Sequence, residues 1–309
     1  MKVRDHQRYM ANKEELVERL SHAMPSNGHV EASPGVLLSR ASEPSERLYG
    51  VTRPSFCVIA QGAKEVYAGD SIYQYNADKF LIATVELPIV AKIVQATPAN
   101  PYLALRLTLD HSIVSSLMIE SDLSGADSAG PSRAIFVSSM DADLLDATVR
   151  LVRLLEHPKE SSILGYAIRR EITYRLMQGE QGQRLQQLPV LGNHSNRIAK
   201  AIHRLRKEFH QPLSMEALAK ELGMSTSGFH HHFKAVTDLS PLQFQKQIRL
   251  QEARRLMLNE SLDVSKAGYK VGYDNPSHFS RDYKKHFGKA PLHDIESLRD
   301  VVPAESESH

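Results

Sequence analysis

A chain of 309 residues is long enough for about two ordinary domains, and its 41% hydrophobic and 24% charged content is that of a globular protein rather than a disordered one. The formal net charge of +2 conceals an asymmetry: residues 193–299 hold 18 Lys and Arg against 11 Asp and Glu, a balance of +7, while the remainder holds 20 against 25, a balance of −5, so only the second part suits a polyanion. One cysteine excludes an intrachain disulfide, the polar start Met1–His6 carries no apolar leader, and no apolar run reaches the roughly 18 residues that cross a bilayer; a cytoplasmic protein without a membrane partner is expected.

Taken in chain order, Asn12 to Ala23 reads as a short helix capped by Asn12, with Leu16, Val17 and Leu20 as its apolar stripe. From Pro34 to Asp110 short apolar or alternating runs follow, among them Val36-Leu37-Leu38, Phe56 to Ala60, Phe80 to Ala83, Ile89 to Ala91 and Leu103 to Leu107. Turn residues at Pro44, Pro54, Gly62, Gly69-Asp70, Pro88 and Pro98 to Pro101 separate them, the spacing of a sandwich or small barrel. No histidine lies between His29 and His111, so this region lacks the usual ligands of a barrel metal enzyme; no metal, cofactor or catalytic residue is expected. Cys57 sits in an apolar run with no cation nearby in sequence, the setting of a buried, inert thiol. Arg106 alternates with Leu105 and Leu107 and so faces away from them, toward solvent or toward an anionic effector. Cys57 and Arg106 are the candidate effector-binding residues.

From Ser139 the period becomes helical. Leu144, Leu145, Thr148, Leu151, Val152 and Leu155 share a face that stops before Pro158; Leu164, Ile168, Ile172 and Leu176 follow at intervals of four. This pair, residues 139–178, is the expected dimer contact, with Leu144 and Leu151 at its centre. The Gly- and Gln-rich stretch 181–194 reads as a linker between an effector-binding and dimerisation domain (1–180) and a carboxyl-terminal domain (195–299).

The carboxyl-terminal domain opens with a helix capped by Ser195 and carrying Ile198, Ile202, Leu205 and Phe209. A repeat follows. Phe229, Phe233 and Pro241 recur as Phe279, Tyr283 and Pro291, and the caps Ser225 and Asn275 share that spacing. Upstream, Ser214 pairs with Asp263, Leu222 with Val271 and Gly223 with Gly272. Each copy reads helix, glycine turn, capped helix: a helix-turn-helix. A helix from about Leu242 to Leu258, with Phe244, Ile248, Ala253, Leu256 and Met257, joins them. Opposite the aromatic face, the second helix of copy one offers Ser227, His230, His231 and Lys234, and that of copy two Ser277, His278, Arg281, Lys284 and Lys285. Such side chains donate to base edges and phosphates, Arg281 above all, because a guanidinium reads guanine with two hydrogen bonds. The consecutive His230, His231 and His232 point about 100° apart and cannot converge on one metal ion.

Residues 195–295 resemble the DNA-binding domain of AraC/XylS-type transcription regulators. The likeness rests on Val271 to Gly288 followed by Ala290-Pro291, on Ser240-Pro241 opening the joining helix, and on Arg249-Leu250 with Ala253 inside it. Phe229 to Lys234, Phe56 to Lys64 and Pro101 to Leu107 are similar to a branch of that family with a cupin-like amino-terminal domain. The resemblance implies an α+β two-domain protein: a cupin-like β-barrel with a helical pair, then an all-α duplicated helix-turn-helix domain. It implies recognition helices in successive major grooves of promoter DNA, with Ser227, His230, His231, Ser277, His278 and Arg281 near bases. It also implies activation through RNA polymerase, a small-molecule effector in the barrel and a homodimer. Two departures stand out. Ala267-Gly268 replaces a larger apolar residue and Ala, which predicts loose packing in copy two, and His230-His231 stands where Arg is frequent. The alternative function is a metal-dependent cupin enzyme with a DNA-binding appendage.

Overall fold

Period-two alternation of buried and half-buried positions, as in Val36, Leu37, Leu38 and Ser39, marks strands that carry a core on one face. The computed structural model describes residues 3–121, 133–180, 182–186 and 194–299. They divide into two units, Met1–Ala199 with His232–Asp238, and Lys200–His231 with Leu239–His309.

The first unit begins with α1 (Val3–Ala23), which starts well before the expected cap. Asn12 is buried in mid-helix and donates from Nδ2 to Asp146 Oδ1 at 3.5 Å, so its role is tertiary. Among the described residues ten strands follow: β1 (Gly28–Ser33), β2 (Val36–Ala41), β3 (Leu48–Val51), β4 (Ser55–Gln61), β5 (Ala63–Ala68), β6 (Ser71–Asn76), β7 (Lys79–Ala83), β8 (Pro88–Gln95), β9 (Tyr102–Thr108) and β10 (Ile135–Ser139). They form two antiparallel sheets, one ordered β1-β2-β9-β4-β7-β10 and the other β3-β8-β5-β6, so the expected β-rich domain is present as two sheets. Between β9 and β10 lies α2 (His111–Glu120), capped by Asp110, whose side chain accepts from Ser112 N at 2.8 Å.

Behind the larger sheet pack α3 (Ala142–Arg153), prolonged by a 3-10 turn at Leu154–Glu156, and α4 (Pro158–Gln178). Val36, Leu38, Phe56, Val58, Ile82 and Leu105 on one face of that sheet share a core with Leu16, Leu20, Leu144, Leu151 and Ile172 from the helices. Each such burial contributes roughly 1.5–3 kcal/mol. Leu144 and Leu151 are each 2% exposed, so the stripe expected at a dimer contact is spent inside its own unit. Within 139–178 the apolar side chains left exposed are on α4, where Ile163 and Tyr166 are exposed at 77% and 59% and Leu164 leaves the buried stripe. Within the expected linker, Gly182–Gln186 form α5 and Leu185 is buried in the same core. Residues 187–193, the rest of the linker with 181, lie outside the described residues.

From His194 on the described residues are all-helical: α6 (His194–Lys207), α7 (Met215–Glu221), α8 (Thr226–Thr237), α9 (Pro241–Asn259), α10 (Val264–Lys270), α11 (Pro276–Phe287) and α12 (Pro291–Arg299); the start of α6 and the end of α8 are grouped with the first unit and the rest forms the second. α6 starts at His194, so Ser195 lies inside it instead of capping it, and Phe209 follows its end. Among the described residues no helix is long and apolar enough to cross a membrane.

Candidate nucleic-acid interface

Local capping chemistry sets both helix-turn-helix copies. In the first, Ser214 Oγ accepts from Ala217 N at 3.2 Å to start α7, and Ser225 Oγ accepts from Gly228 N at 3.1 Å to start α8. In the second, Asp263 accepts from Lys266 N at 2.8 Å, and Asn275 Oδ1 accepts from Ser277 N at 2.7 Å and His278 N at 3.3 Å. Such caps satisfy N–H groups that a helix start leaves open. The turns require glycine: Gly223 has φ +64 and Gly272 φ +92. At Gly272 a Cβ would also stand 2.2 Å from the His210 carbonyl oxygen.

α9 holds the copies in register. Its capping box joins Ser240 and Gln243, and Phe244, Ile248, Leu250, Ala253, Leu256 and Met257 are buried. Arg249 is its hub. Nε donates to Phe209 O at 2.6 Å, Nη2 to Gln211 O at 3.0 Å and Nη1 to Gly272 O at 2.9 Å. One guanidinium thus ties the segment after α6 to the turn of copy two. Gln245 Nε2 donates to the same Phe209 and Gln211 carbonyls at 3.1 and 3.0 Å. Burial holds the Arg249 pKa below its usual value. The family resemblance drew attention to Arg249-Leu250, but this bridging role depends on contacts far apart in sequence.

Each recognition helix is anchored from behind. Phe229, Phe233, Phe279 and Tyr283 are fully buried. Phe279 lies against Gly268, where a Cβ would meet its ring at 3.1 Å, so the loose packing expected at Ala267-Gly268 is absent: the small residue admits the ring. Tyr283 OH donates to Asp294 Oδ2 at 2.8 Å, and Arg254 grips the same carboxylate through Nε at 2.8 Å and Nη2 at 2.9 Å. The Arg254 guanidinium also lies 4.5 Å from the centroid of the Phe287 ring. Burial, with a smaller contribution from Arg254, depresses His286 to a pKa of about 4.

On the opposite face of α11, Ser277, His278, Arg281, Lys284 and Lys285 are all exposed. The side chains of Arg281, Lys284 and Lys285 make no hydrogen bond or ion pair with any described residue. On α8, Ser227, His231 and Lys234 are exposed. His230 is half-buried, its ring edge-to-face with Phe229 at 5.8 Å.

The profile of the AraC-type transcriptional regulator N-terminus matches residues 32–184, and that of a helix-turn-helix domain matches residues 218–295. The chain belongs to the AraC-type transcriptional regulators. Among curated relatives, the HTH-type transcriptional regulator ArgR of Pseudomonas aeruginosa is 24% identical over 149 residues, 48% of this chain and 45% of the relative. The HTH-type transcriptional activator RhaS of Escherichia coli is 27% identical over 158 residues, 51% of this chain and 56% of the relative. The matched segments therefore span about half of each relative. ToxT from Vibrio cholerae shares the two-domain fold, with a TM-score of 0.55 at 12% identity over 84% of this chain and 97% of that one.

The two effector candidates meet in the first unit. Cross-strand register sets Cys57 opposite Arg106, and Arg106 opposite Leu37, on the face of the large sheet turned away from the helices. From the smaller sheet Lys64 comes within electrostatic range of both. The expectation that no cation lies near Cys57 is therefore corrected: strand pairing supplies Arg106 and the second sheet supplies Lys64. Burial nevertheless pushes the Cys57 thiol up and keeps it protonated, against the smaller opposing pull of Lys64. Lys64 was not among the sequence candidates. Its signal was the period-two phase it shares with the buried Val66 and Ala68.

Proposed function

We infer that this protein is a sequence-specific DNA-binding regulator of transcription initiation, more suited to activation through RNA polymerase than to repression, and responsive to a small molecule held in its two-sheet unit. The observation that carries the reading is the pair of capped helix-turn-helix copies locked by Arg249, each presenting a polar face opposite buried aromatics. In this reading α8 and α11 enter major grooves of promoter DNA. Ser227, His230 and His231, and Ser277, His278 and Arg281, approach bases, while Lys234, Lys284 and Lys285 hold phosphates. Residues 1–180, extended through α5, form the effector and dimerisation domain, with Cys57 and Arg106 at the effector. The protein acts in the cytoplasm as a homodimer, joined through the outer face of α4 at Ile163 and Tyr166. It is not an enzyme: the effector alters DNA binding and leaves unchanged. Genome-wide mapping of bound sites, followed by competition with unrelated duplex, tests this reading. A specific site should outcompete random duplex about 1,000-fold or more; equal competition would make the protein a non-specific DNA coat.

A further inference from the structure

Two basic side chains face one interior in the first unit without a counter-charge. Arg106 stands on β9 between Leu37 of β2 and Cys57 of β4. Lys64 stands on β5 between Ile93 of β8 and Tyr75 of β6, in phase with buried Val66. Tyr75 of the smaller sheet is in electrostatic range of Arg106, Cys57 and Tyr102 of the larger one, so these groups share the space between the sheets. Lys64 and Arg106 are half-buried, and neither side chain makes a hydrogen bond or ion pair with any described residue. The charged groups acting on Lys64 are Cys57 and Arg106, with no carboxylate among them. Cys57 is neutral, held so by burial, and supplies no balancing charge. The Tyr75 and Tyr102 phenols, also raised by burial, remain protonated donors with no described partner. His29 at the edge feels the same excess: burial first, then Lys64 and Arg106, lower its pKa.

Like charges brought together away from water destabilise a fold unless something of opposite sign joins them. Apolar side chains stand there too: Ile93 is buried opposite Lys64, and Leu81 is buried opposite Cys57. We propose that the space between the two sheets is an anion site, and that the effector is a small organic anion whose oxygens are held by Lys64 and Arg106 and whose apolar body lies against the sheet interiors. This deepens the effector reading above and rests on it. A guanidinium presents paired donors to a carboxylate or phosphate, an ammonium a point charge, and the two phenols can donate to remaining oxygens. Binding then offsets the repulsion between Lys64 and Arg106, so the bound form of the unit is the more stable one.

The test uses the full chain, without DNA, and three pairs of probes: octanoate against octanol, benzoate against benzyl alcohol, and phenyl phosphate against phenol. Melting temperature and titration calorimetry are read for wild type, Lys64→Met, Arg106→Met and the double variant. At least one anion should raise the wild-type melting temperature where its neutral partner does not. Each single substitution should weaken that anion about 10- to 100-fold, and the double variant should not bind it. Without ligand, Lys64→Met should melt higher than wild type, because it removes one of two mutually repelling charges. The proposal is overturned if no anion binds, if neutral partners bind equally, or if the double variant retains wild-type affinity. DNA binding, measured separately on the same preparations, keeps the two readings apart: loss of anion binding with intact promoter recognition removes this inference alone. Preference for benzoate or octanoate over phenyl phosphate would make the head group a carboxylate, and the reverse a phosphate.

Discussion

Asp294→Ala should be among the most costly single changes in the helical unit. Its carboxylate is 3% exposed as a residue and accepts three hydrogen bonds, two from Arg254 at 2.8 and 2.9 Å and one from Tyr283 at 2.8 Å. The Arg254 side chain is only 15% exposed, so removing the carboxylate leaves a desolvated guanidinium against the Phe287 ring. Breaking a buried ion pair from one side costs about 3–5 kcal/mol. The phenol that loses its acceptor adds about 1 kcal/mol, though contributions within one network do not sum simply. For a unit of this size 1 kcal/mol moves the midpoint by about 4 °C or more, so the transition should fall by at least about 12 °C. Scanning calorimetry of the full chain, following the transition that bound DNA protects, measures it. Arg254→Met combined with Asp294→Leu should melt higher than either single variant, since apolar replacement of both partners removes the desolvation penalty. A loss near 1 kcal/mol for Asp294→Ala, with no recovery in the double variant, would mean that the pair behaves as a surface ion pair and that α9, α11 and α12 are held by other contacts.

Gly272→Ala should destabilise the same unit by more than about 1 kcal/mol, because its left-handed φ and the approach of the His210 carbonyl both oppose a Cβ; urea unfolding reads the loss. The helical unit should also lose stability as pH falls from 6.5 to about 4: with His286 depressed to about 4 in the folded state, the unfolded chain binds the extra proton in that window. At most about 3 kcal/mol is at stake, and His286→Gln should flatten the slope of melting temperature against pH between those limits. If the proposed homodimer joins through α4, wild type should sediment as a dimer and Ile163→Glu with Tyr166→Glu as a monomer, without a lower melting temperature because both side chains lie outside the core; a wild-type monomer, or an unchanged mass in the variant, would refute this interface.

How much of this was readable from the residues depended on whether the signal was local. The helix-turn-helix copies were, because Ser214, Ser225, Asp263 and Asn275 cap their helices through backbone groups two or three residues away. The buried stripe of α3 was legible for the same reason. α1 was underestimated because its first turns are polar and are held from outside the helix, by Arg8 on Asp143. α2 was hidden by β-branched and serine residues that favour helices poorly, although Asp110 announces its start. β6, with the sequence Ser-Ile-Tyr-Gln-Tyr-Asn, lacks an apolar run because Ile72 and Gln74 face solvent while Tyr75 is buried. The interior site was illegible for a different reason. Cys57, Lys64 and Arg106 come from three strands, and only register and the facing of two sheets bring them together. Arg249 likewise acquires its role from carbonyls on both sides of it in sequence.

The central claim is that α11 reads bases and does more than grip the backbone. Arg281 lies one turn after Ser277 on the exposed face, behind which Phe279 and Tyr283 are buried, and it is engaged with no described residue. The decisive measurement is the affinity of wild type, Arg281→Ala and Lys285→Ala for the mapped site and a panel of its single-base variants, at several salt concentrations. Arg281→Ala should lose about 1–3 kcal/mol on the natural site and become indifferent at one base pair. Lys285→Ala should weaken all duplexes alike and lower the salt slope by about one phosphate, with folding unchanged in both. A uniform loss across the panel for Arg281→Ala would contradict the account, because this arginine would then be a phosphate contact and the base-reading role would fall to other residues.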